Sequence, residues 1–260
     1  MARRPRLADR IRRYLFGYTM ARRLQLLGAL AGRRLAPPGP GLAARPHSQR
    51  PPPDSAFDQE YGVETSAPLP WWVLGDESRG DAYSANYAPS SPTALRTALQ
   101  RLPDLRAFTF VDLGCGKGRA LIVASEYPFK AIIGVEKSRN LASVAEANLR
   151  SVVAAHPERP AIRVIQGDAA TFPVPAGDLV IYLFHPFWLP VMRAVADGLV
   201  SAMAVQRRRL FVIYLNPTVR APLDVCPCLI AAPELGFVLP ADDERRNPLT
   251  VAVWRERDGC

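Results

Sequence analysis

The sequence predicts an α/β domain built on a doubly wound, mostly parallel sheet with an antiparallel C-terminal edge. Three observations carry that expectation. From residue 90 onward, short apolar runs alternate with amphipathic helical segments, the pattern of consecutive βαβ units. The runs at 108–113, 179–184 and 210–215 are almost continuously apolar, as in strands covered on both faces. Between the first of these and the next helix lies Gly114-Cys115-Gly116-Lys117-Gly118, a glycine-rich turn in the strand-to-helix position that cradles nucleotide cofactors.

Taken in order, Ser90-Ser91-Pro92-Thr93 reads as a helix start, a serine cap followed by proline in the first turn, leading into residues 94–102, where Pro103 ends the helix. Strand 108–113 and helix 119–127 follow, then strand 131–136. The next helix spans 141 to about 153, and its buried face is Leu141, Val144, Ala145, Leu149 and Val152 at spacings of three and four. Strand 162–165 comes next, and then the run 179–184. A helix carrying Val191, Val195 and Leu199 leads to strand 210–215. The tail reads as two further strands, 228–238 and 249–254, joined by the charged turn 241–247 and forming the antiparallel edge. Right-handed crossovers put the first strand near the middle of the sheet.

The remaining chain is organised differently. Of 260 residues, the first fifty hold twelve arginines and one acid, Asp9, whereas residues 51–260 hold 21 basic and 23 acidic side chains. The alkaline balance therefore belongs to the N-terminal arm, and the core charge does not indicate a nucleic-acid binder. Residues 1–56 are expected to be a basic, proline-rich arm and linker. Residues 57–102 form an aromatic strap or lid with the N-terminal helix, and 103–260 form the core. Asp9 is placed to cap a helix within residues 1–34. That segment fits a frayed extension, a helix on a membrane surface or acidic partner, or a transit peptide. No run approaches the roughly 18 apolar residues of a membrane span. The four cysteines, Cys115, Cys226, Cys228 and Cys260, lack zinc-site spacing and are read as reduced thiols of a cytoplasmic protein.

In such a sheet the ligand lies across the carboxyl ends of the strands, so the residues ending each strand matter most. Strand one ends in the glycine loop preceded by Asp112, strand two in Glu136, strand three in Asp168 and strand four in His185-Pro186-Phe187-Trp188. Glu136 offers two acceptors to the paired hydroxyls of a ribose, and Asp168 can accept from an adenine amine. A dinucleotide fingerprint needs glycine at its sixth place, where this chain has Arg119. An acid just before the loop repels a pyrophosphate but suits a cofactor with a positive amino-acid end.

On residues 111–118, Glu136, Asp168 and 178–187, the chain resembles the class I S-adenosylmethionine-dependent methyltransferases, over roughly residues 85–255. The resemblance implies a seven-stranded Rossmann-like sheet and S-adenosyl-L-methionine as cofactor. It implies that Asp112, Gly114, Cys115, Gly116 and Gly118 hold the methionine part, Glu136 the ribose, and Asp168 with Ala169 the adenine. Residues 87–91, beginning at Tyr87, are similar to a cofactor-capping segment of some lysine methyltransferases of this class.

His185-Pro186-Phe187-Trp188 resembles the Asn/Asp-Pro-Pro-aromatic substrate loop of such enzymes, with histidine and phenylalanine at two of its places. His185 then stands either as a general base or as a structural loop histidine. Tyr182 and Phe184 read as core. The methyl acceptor, a protein side chain or a small molecule, is not identified by the sequence. An NAD(P)-dependent oxidoreductase is the second expectation, weakened by Arg119 and by the lack of a Tyr-x-x-x-Lys pair. A non-catalytic methyltransferase-like module is the third.

Overall fold

A computed structural model describes residues 55–66, 87–184, 187–241 and 248–258. The arm at 1–34 with its Asp9 cap, and the aromatics Trp71, Trp72 and Tyr83, lie outside the described residues. In chain order the elements are α1 (Ser55–Tyr61), α2 (Pro92–Gln100), β1 (Phe108–Leu113), α3 (Arg119–Ala124), β2 (Ala131–Glu136), α4 (Arg139–Ala155) and β3 (Ile162–Gln166). There follow β4 (Asp178–Phe184), α5 (Leu189–Val205), β5 (Leu210–Leu215), α6 (Ala221–Asp224), β6 (Leu229–Ala231), β7 (Phe237–Leu239) and β8 (Leu249–Glu256).

Local chemistry sets several boundaries. Ser91 caps α2, its hydroxyl accepting from Ala94 N at 3.3 Å, with proline in the first turn as the sequence predicts. α4 starts two residues earlier than its apolar face suggested. The Ser138 hydroxyl accepts from Leu141 N at 3.4 Å, so the polar residues Arg139 and Asn140 complete the first turn.

The eight-stranded sheet runs β3-β2-β1-β4-β5-β8-β6, with β1 to β5 parallel and β8 antiparallel to β5. β1 is thus interior, and the order reverses between β1 and β4, which makes their carboxyl ends the switch point where ligands bind. The tail departs from expectation. Residues 228–238 are not one strand but two, β6 and β7, which share the outer edge of β8 at its opposite ends. A turn intervenes because Pro233 has no N–H for the ladder, and Leu235 N and Gly236 N bond back to Ala232 O and Pro233 O. Among the described residues the sheet accordingly has eight strands where seven were expected.

Side chains alternate strictly across the sheet. Phe108, Phe110, Ile132, Val180, Tyr182 and Ile213 pack under Leu95 and Leu99 of α2, Leu121 of α3, and Leu149 and Val152 of α4. The other face, Val111, Leu113, Ile133, Leu179, Ile181, Leu183 and Val212, packs under Met192, Val195, Leu199 and Met203 of α5. α2 therefore shares the core of β1 and contributes its apolar face to it. Tyr182 is fully buried, as the sequence predicts. Among the described residues no helix is long and apolar enough to cross a membrane.

Candidate functional site

The glycine loop follows β1 at the switch point, Glu136 ends the neighbouring β2, and Asp168 follows β3 one strand farther out. Asp112 is 3% exposed, between Gly134 of β2 and Tyr182 of β4 in the strand register. Burial pushes its carboxyl well above the ordinary carboxylate range, and the nearby Glu136 carboxylate adds to the effect. Glu136 is also buried, and burial raises its pKa, opposed by the backbone N–H groups that face it. Its Oε2 accepts from Gly116 N at 2.9 Å and its Oε1 from Ser138 N at 2.8 Å. One acid thus ties the glycine loop to the start of α4 and keeps lone pairs for a further donor.

The loop itself needs its glycines. Gly116 has φ 54° and Gly118 φ 87°, the left-handed region, and Gly118 is also the N-cap of α3. Cys115 packs inward against Gly134, where an added Cβ would come within 2.7 Å of its Sγ. Glycine inside β2 marks that close approach. Burial raises the Cys115 thiol well above its usual range, with the Asp112 and Glu136 carboxylates adding to it.

Tyr87 covers the loop. Its ring lies against Gly116, where an added Cβ would meet the ring at 2.4 Å, and its hydroxyl donates to Thr65 O at 2.6 Å. Gly116→Ala therefore faces a ring clash and a strained φ together, and these are expected to cost about 2–4 kcal/mol. A thermal melt of Gly116→Ala beside the Gly116→Ala/Tyr87→Ala double variant checks this. The double variant should recover the steric share only.

The strap residues 57–66 hold the loop from outside, a contact the sequence did not reveal. Arg119, at the sixth place of the loop pattern, is 2% exposed. Its Nε donates to Thr65 Oγ1 at 2.7 Å, and its Nη2 to Ser66 Oγ at 2.8 Å and to Asp58 Oδ1 at 3.4 Å. The guanidinium lies 5.0 Å from the Phe57 ring centroid. Asp58 Oδ2 accepts from the backbone N–H groups of Thr65 (2.9 Å) and Ser66 (2.8 Å). Burial opposes ionisation of Asp58, but the hydrogen bonds from Thr65 and Ser66 outweigh it and hold its pKa below the ordinary value.

Lys117 Nζ pairs with Glu64 Oε1 at 2.6 Å. Asn148 of α4 donates to Glu64 O and Lys117 O, both at 3.0 Å. The one available signal was Arg119 itself, a cation in the first turn of a short, otherwise apolar helix, where the helix dipole disfavours it.

The other predicted residues are distributed as follows. Asp168 follows β3, with Oδ1 accepting from Ala170 N at 2.9 Å and Oδ2 paired with Lys137 Nζ at 3.0 Å. Burial opposes ionisation of Asp168, and the hydrogen bonds from Ala170 and Lys137 lower its pKa on balance. Ala169 is buried with Val111 and Leu113. Phe187 is half-buried against the α5 face of the core, and Trp188, 45% exposed, caps α5. His185 and Pro186 lie outside the described residues.

Residues 111–198 match the family model described as a methyltransferase domain. A trans-aconitate 2-methyltransferase of Rhizobium meliloti is 26% identical over 125 residues, covering 47% of this chain and 45% of that protein. A probable S-adenosylmethionine-dependent methyltransferase of Saccharomyces cerevisiae, CRG1, is 35% identical over 65 residues, 25% of this chain and 22% of that one. The chain thus spans less than half the length of either curated relative. Among solved structures, the putative methyltransferase yhhF of Escherichia coli superposes with TM-score 0.47 at 15% identity, over 74% of this chain and 99% of that one.

Proposed function

We propose that the chain, whose residues 111–198 match a methyltransferase-domain model, binds S-adenosylmethionine at the switch point and transfers its methyl group to an acceptor. The observation that carries this reading is Asp112, a buried acid beside a second acid, directly before a left-handed glycine loop. A dinucleotide pyrophosphate would add negative charge there, whereas a ligand ammonium neutralises Asp112. The residues fit the cofactor: Asp112 and the Gly114–Gly116 backbone for its methionine end, Glu136 for its ribose hydroxyls, and Asp168 and Ala169 for the adenine.

When bound, the cofactor supplies an electrophilic methyl group on a sulfonium. The chain's own part is alignment and exclusion of water. Asp112 orients the ammonium, the Tyr87 ring closes the glycine loop from above, and Glu136 fixes both loop and ribose. The acceptor enters past Phe187 and Trp188, with His185 and Pro186 of the same segment as its contacts. The Rhizobium relative is named for trans-aconitate, which keeps a small molecule among the acceptors beside a protein side chain.

Calorimetry with S-adenosylmethionine and, separately, NAD(H) tests the reading, and binding of NAD(H) alone would overturn it. Radiolabelled S-adenosylmethionine with fractionated extract then identifies the acceptor class. Glu136→Gln keeps the shape but replaces one acceptor oxygen by a donor that opposes the N–H of Gly116 or Ser138. It is expected to weaken cofactor affinity about tenfold or more, read by the same calorimetry. An unchanged affinity would remove Glu136 from the site.

A further inference from the structure

Two thiols stand outside the proposed site, at the opposite end of the sheet. Leu229 pairs with Glu256, whose carboxylate accepts from Leu210 N at the start of β5, so the turn before β6 lies at the amino ends of the parallel strands. In that turn the Cys226 and Cys228 sulfurs are 3.3 Å apart, closer than ordinary sulfur contact and consistent with one S–H donating to the other. Both are buried, Cys226 at 3% exposure, yet the flanking Val225 is 80% exposed and Pro227 is exposed too. The sulfurs therefore lie beneath a short exposed turn, with Cys226, at 3% exposure, the less covered of the two and Cys228 wholly covered.

The pair is also chemically asymmetric. The Cys228 thiol and the backbone N–H groups of Cys228 and Leu229 favour the thiolate of Cys226 and lower its pKa against the opposing effect of burial. Cys115, also buried, is pushed the other way by burial and two carboxylates. One thiol is poised to attack, and a second stands in contact to resolve the product, the arrangement of a reversible redox site.

We propose that Cys226 and Cys228 form a peroxide-sensitive dithiol, independent of the methyltransferase site, that closes to an intramolecular disulfide. The Cys226 thiolate attacks one oxygen of hydrogen peroxide, the O–O bond breaks, and hydroxide leaves, giving a sulfenic acid. Cys228 then attacks that sulfur, the S–S bond forms, and the sulfenic oxygen leaves as water. Two thiols are oxidised by two electrons and one peroxide becomes two waters. Only Cys226 meets solvent, and at 3% exposure its surface suits a small oxidant such as peroxide and not a bulky disulfide such as oxidised glutathione.

The test uses the full folded chain treated with hydrogen peroxide, then alkylated, digested and weighed. The tryptic peptide beginning at Ala221 should lose two hydrogens and resist alkylation until reduced, with Cys226 consumed about tenfold faster or more than Cys115. Cys228→Ser should stop at a dimedone-reactive sulfenic acid on Cys226. Oxidised glutathione should leave the peptide alkylatable. Full alkylation of both thiols after peroxide would overturn the proposal, as would sulfinic acid at Cys226 beside a free Cys228, or a bridge to Cys115 or Cys260. None of these outcomes depends on cofactor binding.

Discussion

Asp112→Asn is expected to weaken S-adenosylmethionine binding about 100-fold or more while raising the melting temperature of the ligand-free protein. The two effects share one cause. A carboxylate at 3% exposure beside a second acid is destabilising in the ligand-free fold, because no cation among the described residues offsets its desolvation. Asparagine keeps the shape and removes the charge, which should stabilise the fold by ~1–2 kcal/mol. The ligand's ammonium loses its counter-charge at the same time, and a 100-fold loss corresponds to about 2.7 kcal/mol. Calorimetry and a thermal melt of the same variant read both. Lower stability together with unchanged affinity would place the cofactor elsewhere.

The pH dependence follows with a definite sign. Asp112 and Glu136 have folded-state pKa values raised above their unfolded values. Their contribution to stability is therefore full below the unfolded carboxylate pKa and is lost as pH rises through the folded ones. Asp58 and Asp168, with lowered values, act in the opposite sense and lose their contribution as pH falls through their folded pKa. Ligand-free stability should thus peak in the mildly acidic range and decline toward neutrality, and Asp112→Asn should flatten the neutral side. A melting temperature that climbs steadily from the carboxylate range to neutral pH would contradict this.

The sheet was legible because buried parallel strands are apolar almost throughout, and residues 108–113, 131–136 and 210–215 end where the apolar runs end. The cap at Ser138 was not, since Lys137 to Asn140 is polar and the first turn shows no apolar face. The split of the C-terminal edge needed the turn chemistry of Pro233 and Gly236 to outweigh the β-forming residues on either side. The strand-end rule picked out Asp112, Glu136 and Asp168 without any periodicity, and the structure puts them at or just past the ends of β1, β2 and β3. Asp58, Thr65 and Arg119 meet through side chains 54 and 61 residues apart from segments without a repeat, and no pattern of spacing announces such a contact. Cys226 and Cys228 read in the sequence only as two of four reduced thiols, and gained chemistry once their sulfurs were seen in contact.

Arg119→Ala is expected to cost about 3–5 kcal/mol, the range for removing one partner of a buried charged pair. For a chain of this size that is a fall in melting temperature of roughly 10 °C or more. Three acceptors, Thr65 Oγ1, Ser66 Oγ and Asp58 Oδ1, converge on one guanidinium, so Arg119→Lys cannot serve all of them and should recover little. Asp58→Asn removes the charge from the other side. The Arg119→Met/Asp58→Asn double variant should lose less than the two single losses combined, because both single changes remove the same ion pair.

Arg119 bonds to the strap, and cofactor affinity should fall with its loss. Tyr87, whose ring rests on Gly116, is held by Thr65 O, and Thr65 is held in turn by Asp58 and Arg119. A glycine at this place serves helix packing beneath a pyrophosphate; here the place carries a side chain that clamps the strap to the loop. If Arg119→Ala melts within 1 kcal/mol of the parent and binds cofactor equally well, the clamp plays no part in holding Tyr87 on the loop.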